Sequence, residues 1–139
     1  AAVARAGHAP RELVAVIEKA SPRRGDRVHP ATQTFQALRI AVNDELAAVE
    51  KTLPQAVSAL RSGGRCAIIS FHSLEDRIVK EYFREQSKEL VNPPYERIYE
   101  VERKAVVEII NKKPIVASDE EVKDNPRARS AKLRIIEKL

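Results

Sequence analysis

The sequence contains one cysteine, four glycines and no methionine in 139 residues. The lone Cys66 excludes an internal disulfide framework and any multi-cysteine zinc site. His8, His29 and His72 are scattered, with no His-x-x-x-His or His-x-x-Glu-His spacing, so no metal site is expected. The glycines stand at positions 7, 25, 63 and 64, too dispersed for the Gly-rich turn that cradles a nucleotide-type cofactor. No apolar run approaches the ~18 residues of a membrane span. The opening Ala1-Ala2-Val3-Ala4-Arg5 has no initiator Met and no apolar core of signal-peptide length.

What is present describes an ordinary soluble globular chain, 43% apolar and 32% charged. Its length predicts one domain. The net charge is +5, from 25 basic and 20 acidic residues. The excess gathers toward the two ends of the chain and not in one tail. It suits contact with a polyanion, although solvated Lys faces give the same balance.

Periodicity predicts a helix over 9–20, with Leu13, Val14, Val16 and Ile17 as its stripe. Ser21-Pro22-Arg23-Arg24-Gly25-Asp26-Arg27 breaks it. A second helix is expected after a Thr32 or Thr34 cap, with Phe35, Leu38, Val42, Leu46 and Val49 on one apolar face. Thr52-Leu53-Pro54-Gln55 resembles a capping box and Pro54 should break the run, leaving a further piece over 53–61. Ser62-Gly63-Gly64 turns the chain into a short apolar strand, 65–70, of the kind buried on both faces. Ser73 should then cap a helix whose stripe is Leu74, Ile78, Val79, Tyr82 and Phe83. Helix, turn, buried strand and helix are the grammar of an α/β parallel sheet. Residues 87–104 are polar and irregular, and 105–110 read as a strand. Ser118-Asp119-Glu120-Glu121 opens a one-turn helix that Asn125-Pro126 stops. Residues 130–137 alternate as a half-buried strand with Lys132 and Arg134 on a basic outer face.

Three segments carry polar chemistry. Ser70, His72, Ser73 and Asp76 gather where the buried strand enters a helix N-terminus, the edge at which open α/β sheets bind ligands. A well-capped helix explains the same residues. A Ser70–His72–Asp76 hydrolase triad is disfavoured, because side chains so close along a chain rarely converge. Asn92-Pro93-Pro94-Tyr95 matches the pattern by which amine methyltransferases hold an exocyclic amine and stack its base. It lacks the buried strand that should precede it and reads as a Pro-rich turn. Arg127, Arg129, Lys132 and Arg134 form a basic turn and strand, fit either for phosphate contact or for a solvated edge strand.

Three longer segments share one resemblance. They are His29-Pro30-Ala31-Thr32-Gln33-Thr34-Phe35-Gln36-Ala37-Leu38-Arg39-Ile40 with Val42-Asn43-Asp44-Glu45-Leu46; Gly63-Gly64-Arg65 running into Ile69-Ser70-Phe71-His72-Ser73-Leu74-Glu75-Asp76-Arg77-Ile78-Val79-Lys80; and Asn125-Pro126-Arg127-Ala128-Arg129-Ser130-Ala131-Lys132-Leu133-Arg134. In order and spacing they resemble the RsmH (MraW) family of S-adenosylmethionine-dependent ribosomal RNA (cytosine-N4)-methyltransferases. The resemblance implies an α/β fold: the C-terminal half of a Rossmann-like methyltransferase domain, with a final antiparallel strand inserted beside an earlier one. Residues 1–28 would be the tail of an inserted helical domain and 29–139 the last part of the catalytic domain.

The implied substrate is a cytidine of small-subunit ribosomal RNA, alone or in the ribosomal subunit. The implied pocket wall is Ser70, His72, Ser73 and Asp76, and the implied phosphate contacts are Arg39, Arg127, Arg129, Lys132 and Arg134. The implied cofactor is S-adenosylmethionine, yet the family's Gly-rich cofactor loop has no counterpart here. No cofactor-binding residue is therefore expected in this chain, which should be inactive alone. A non-catalytic RNA-binding fragment is the alternative. No membrane or metal partner is expected, a homodimer is compatible, and the setting is the bacterial cytoplasm or an organelle interior such as the chloroplast.

Overall fold

The computed structural model describes residues 10–21, 29–91, 101–102 and 104–139. The stretch Asn92-Pro93-Pro94-Tyr95 and most of the breaker after Ser21 lie outside them. The chain forms two compact units that part between Glu45 and Leu46, where length predicts a single domain.

The first unit holds helices α1 (Pro10–Ala20) and α2 (Pro30–Asn43), which pack on each other. His29, not a threonine, caps α2. Its Nδ1 accepts from the Ala31 N–H at 3.1 Å, while its Nε2 lies 2.8 Å from Glu18 Oε1 of α1. Pro30 fills the first helical position, where its missing N–H is harmless. Thr34 turns inward along the helix and donates to the Pro30 carbonyl at 3.3 Å. The apolar face expected to run from Phe35 to Val49 does not form. Asp44 adopts the left-handed conformation (φ 50°) and its N–H closes on the Ile40 carbonyl. That resets the helical phase, and Leu38 and Val42 are left 46% and 82% exposed.

The second unit begins in α3 (Glu45–Ala59), which runs unbroken through Pro54. Pro54 and Glu50 are both exposed, so the carbonyl that loses its helical partner lies on the wet side. The Thr52–Gln55 box is absent. Thr52 Oγ1 donates back to the Ala48 carbonyl at 2.7 Å and Gln55 Nε2 to the Lys51 carbonyl at 2.9 Å. Gly63, at φ 73°, and Gly64 then make the turn. A Cβ on Gly64 would meet the Arg61 carbonyl oxygen at 2.8 Å.

β1 (Arg65–Ser70) and α4 (Ser73–Gln86) follow. After them come β2 (Leu90–Val91) paired with β3 (Val101–Glu102), then β4 (Val107–Ile109) and β5 (Ile115–Val116). The chain continues through α5 (Asp119–Asp124), a 3-10 turn (Pro126–Ser130) and β6 (Lys132–Lys138). β6 is central: it pairs antiparallel with all of β1 on one side and with β4 and β5 on the other. Among the described strands the expected parallel pairing does not occur. β1 is covered on one face alone. Cys66, Ile68 and Ser70 turn inward, while Arg65, Ala67 and Ile69 are exposed.

The core joins Leu53 and Val57 of α3, Val79 and Phe83 of α4, Val107 of β4 and Ile136 of β6. The register sets Cys66 opposite Ile136 and Ile68 opposite Arg134, so the β6 face bearing Arg134 and Ile136 is the one the helices cover. The expected phase of this strand is therefore inverted by one residue, which swaps every side chain between faces. β6 closes on the glycine turn, where the Lys138 N–H reaches the Gly64 carbonyl and the Gly63 N–H the Lys138 carbonyl, both at 2.8 Å. No helix among the described residues is long and apolar enough to cross a membrane.

Phe83 is 2% exposed at the centre of this core. Phe83→Ala should cost about 3–5 kcal/mol of unfolding free energy, read as a lowered urea midpoint at unchanged slope. A loss below about 1 kcal/mol would contradict its place in the core.

Candidate functional site

The loop from β1 into α4 carries the expected cluster. Ser70 ends the strand, 5% exposed and opposite Lys132. His72, not Ser73, is the cap of α4. Its Nδ1 accepts from the Glu75 N–H at 3.3 Å. Glu75 returns the bond: Oε2 accepts from the N–H groups of Phe71 (3.0 Å) and His72 (3.4 Å). This is a capping box with imidazole in place of a hydroxyl, and it satisfies the Glu75 N–H of the first turn and the N–H of the cap itself. Because Nδ1 accepts, the proton of the neutral ring sits on Nε2. That nitrogen is buried without a hydrogen-bond partner among the described residues, 3.2 Å from Glu75 Oε1. Ser73 is exposed and caps nothing.

Asp76 turns away from this loop. Arg134 Nε donates to Oδ1 at 2.7 Å and Nη2 to Oδ2 at 3.2 Å, and Lys132 Nζ reaches Oδ2 at 3.3 Å. The Asp76 and Arg134 side chains are 11% and 9% exposed. Hydrogen bonding from Arg134 holds the Asp76 carboxyl below its usual range, with its charge and Lys132 adding to the effect and burial opposing it. Sequence reasoning missed this tie. The alternation of Lys132 and Arg134 was its signal, yet alternation alone does not say which face is wet.

The remaining basic residues divide sharply. Arg134 is inside, which corrects the expected basic outer face, and β6 is no edge strand. Arg127 and Arg129 are exposed on the 3-10 turn, on either side of buried Ala128. Asn125 opens that turn, its Oδ1 accepting from the Arg127 N–H at 3.3 Å. Arg39, in the first unit, forks onto Glu45 at 2.9–3.2 Å.

The model of the MraW methylase family matches residues 5–139. The chain belongs to the MraW methylase family. Curated relatives named ribosomal RNA small subunit methyltransferase H agree with this membership. That of Heliobacterium modesticaldum is 56% identical over 130 residues, covering 92% of this chain and 42% of its own length. That of Dehalococcoides mccartyi strain 195 is 52% identical over 128 residues, covering 92% and 37%. That of Clostridioides difficile is 48% identical over 130 residues, covering 92% and 42%. The chain thus spans about two fifths of the length of these relatives. Among the described residues Gly63 and Gly64 are both committed to the α3–β1 turn.

The tie has a pH signature. The folded Asp76 binds its proton less readily than the unfolded chain does. The stability it confers is fully present above the unfolded pKa, near 3.9. It is lost as pH falls through the lower folded value. Asp76→Asn should remove that component from the acid limb of an unfolding-versus-pH curve. Asp76→Ala, which strands Arg134, should cost about 3 kcal/mol at pH 7.

Proposed function

We propose that this chain is the C-terminal part of an S-adenosylmethionine-dependent enzyme that methylates the N4 amine of a cytidine in small-subunit ribosomal RNA. The observation that carries the reading is family membership over residues 5–139, with identities near one half to relatives of that name. The antiparallel β6 between β1 and β4 supports it, since the family resemblance implies such an inserted strand in the last part of a Rossmann-like domain. Residues 1–28 then close an inserted helical domain and 29–139 complete the catalytic one. The setting is the bacterial cytoplasm.

In this reading Ser70, His72 and Ser73 wall the base pocket at the end of β1. The capping box fixes the His72 ring plane and tautomer, so its Nε2–H is a donor held in one direction. Asp76 supports the wall by anchoring α4 to β6 and is not itself a reagent. Arg127 and Arg129 bind phosphates, with the partly exposed Lys132 and Arg39 beside Glu45 as further cations. Arg134 is spent on Asp76. S-adenosylmethionine, supplied with its loop by the rest of the enzyme, is the methyl donor, and no step of the transfer is assigned to residues of this chain.

A chimera tests the reading. Residues 10–139 replace the matching segment of the Heliobacterium modesticaldum relative, and transfer of labelled methyl to small-subunit RNA is measured. Transfer to a cytidine N4 is expected. A chimera that folds by circular dichroism and binds RNA without transferring a methyl group overturns the enzymatic reading in favour of an RNA-binding module. Arg127→Ala with Arg129→Ala should weaken RNA binding and flatten its salt dependence by about 0.7 for each phosphate left unneutralised. An unchanged slope would remove both arginines from the interface.

A further inference from the structure

A cavity of about 230 Å³ opens between α4, β4 and β6. Lys80 and Arg84 stand four residues apart on α4, and Lys112 follows β4; all three are exposed on its rim. No carboxylate lines it among the described residues. The floor is apolar, formed by Phe83 and Ile109.

Asn111 builds the rim. Its Nδ2 donates to the carbonyls of Lys113 and Leu133, both at 2.9 Å, and its Oδ1 accepts from the Ile135 N–H at 2.6 Å. With its polar atoms so engaged, Asn111 fixes the turn that presents Lys112. Arg134 both lines the cavity and holds Asp76, so the cavity adjoins the first turn of α4 through one side chain. Its size is below that of a pocket for a drug-sized molecule and suits a phosphate with part of a sugar.

We propose that this cavity seats a phosphodiester of a single RNA strand, gripped by Lys80, Arg84 and Lys112 with the ribose against Phe83 and Ile109. The proposal rests on the reading that the protein acts on RNA. It predicts a backbone path that continues from the β1–α4 loop along α4.

The isotope-labelled chain is titrated with a short single-stranded RNA oligonucleotide, and in parallel with inorganic phosphate. Saturable shifts of the Ile109 and Lys112 backbone amides and of the Asn111 side-chain amide are expected with the oligonucleotide. Lys80→Ala with Arg84→Ala should weaken binding about tenfold at low salt and flatten the salt slope by about 0.7 for each phosphate no longer neutralised. Lys51→Ala with Arg61→Ala removes the same charge from α3 and the turn after it, and should change neither. Equal weakening by both pairs means diffuse charge and overturns the seat. Equal shifts with inorganic phosphate at the same concentration overturn the assignment to RNA. RNA binding that leaves these amides unmoved overturns the seat while the reading of an RNA methyltransferase stands. Failure of the chimera with the amides still moving overturns that reading and leaves the seat.

Discussion

Three donors from one strand converge on the two carboxylate oxygens of Asp76, and the second unit depends on that convergence. Arg134 and Lys132 lie more than fifty residues from Asp76 in sequence, so their bonds tie the first turn of α4 to the central strand. The tie fixes where α4 begins. With it fixed, Val79 and Phe83 meet Ile136 and Val107, while His72 and Glu75 close the box above them. A buried ion pair adds little net free energy over an apolar pair of similar volume, but removal of one partner leaves a charge stranded. Its contribution is therefore to position: helix and strand have one low-energy register.

Elements with strong local signals were legible in the sequence. The helix over 9–20, the strand and helix of the β1–α4 unit and the short helix after Ser118 all fall where periodicity puts them, though α4 is capped by His72 and not by the expected Ser73. So does the Gly63-Gly64 turn. The failures share a physical cause, the dominance of a non-local or single-residue effect over local pattern. Asp44 in the left-handed region ends α2 inside a continuous apolar stripe. Pro54, expected to break α3, is tolerated because the carbonyl it abandons lies on the exposed side. β6 is inverted because both of its faces carry apolar residues, so the deciding fact is the acidic partner on α4. β5, two residues long, offers no period to read.

The candidate site was legible as a place more than as a set of roles. Ser70, His72 and Ser73 do gather at the end of β1, but the cap is His72, with Glu75 as its return partner. The basic segment 127–134 holds two populations with different work, two exposed guanidiniums on a turn and one buried in the core. The cations around the cavity between α4, β4 and β6 have no sequence signature, because Lys80 and Arg84 sit on α4 while Lys112 arrives from a loop that Asn111 clamps. Net charge is thus a poor guide to where a polyanion would lie; the accessible cations are the informative ones.

The centre of the sheet comes last in sequence. β1, β4 and β5 each find their partner in β6, which follows all of them. During synthesis these strands emerge before β6, the partner they share, and loop closure over more than sixty residues separates Arg65 from Glu137. The β6 side of an apolar strand such as Cys66-Ala67-Ile68-Ile69 therefore stays open until β6 is made. Helices α3 and α4, whose hydrogen bonds are local, can form early and shield it. The order of strands thus delays the pairing of β1, β4 and β5 with β6 until the last of the four is made.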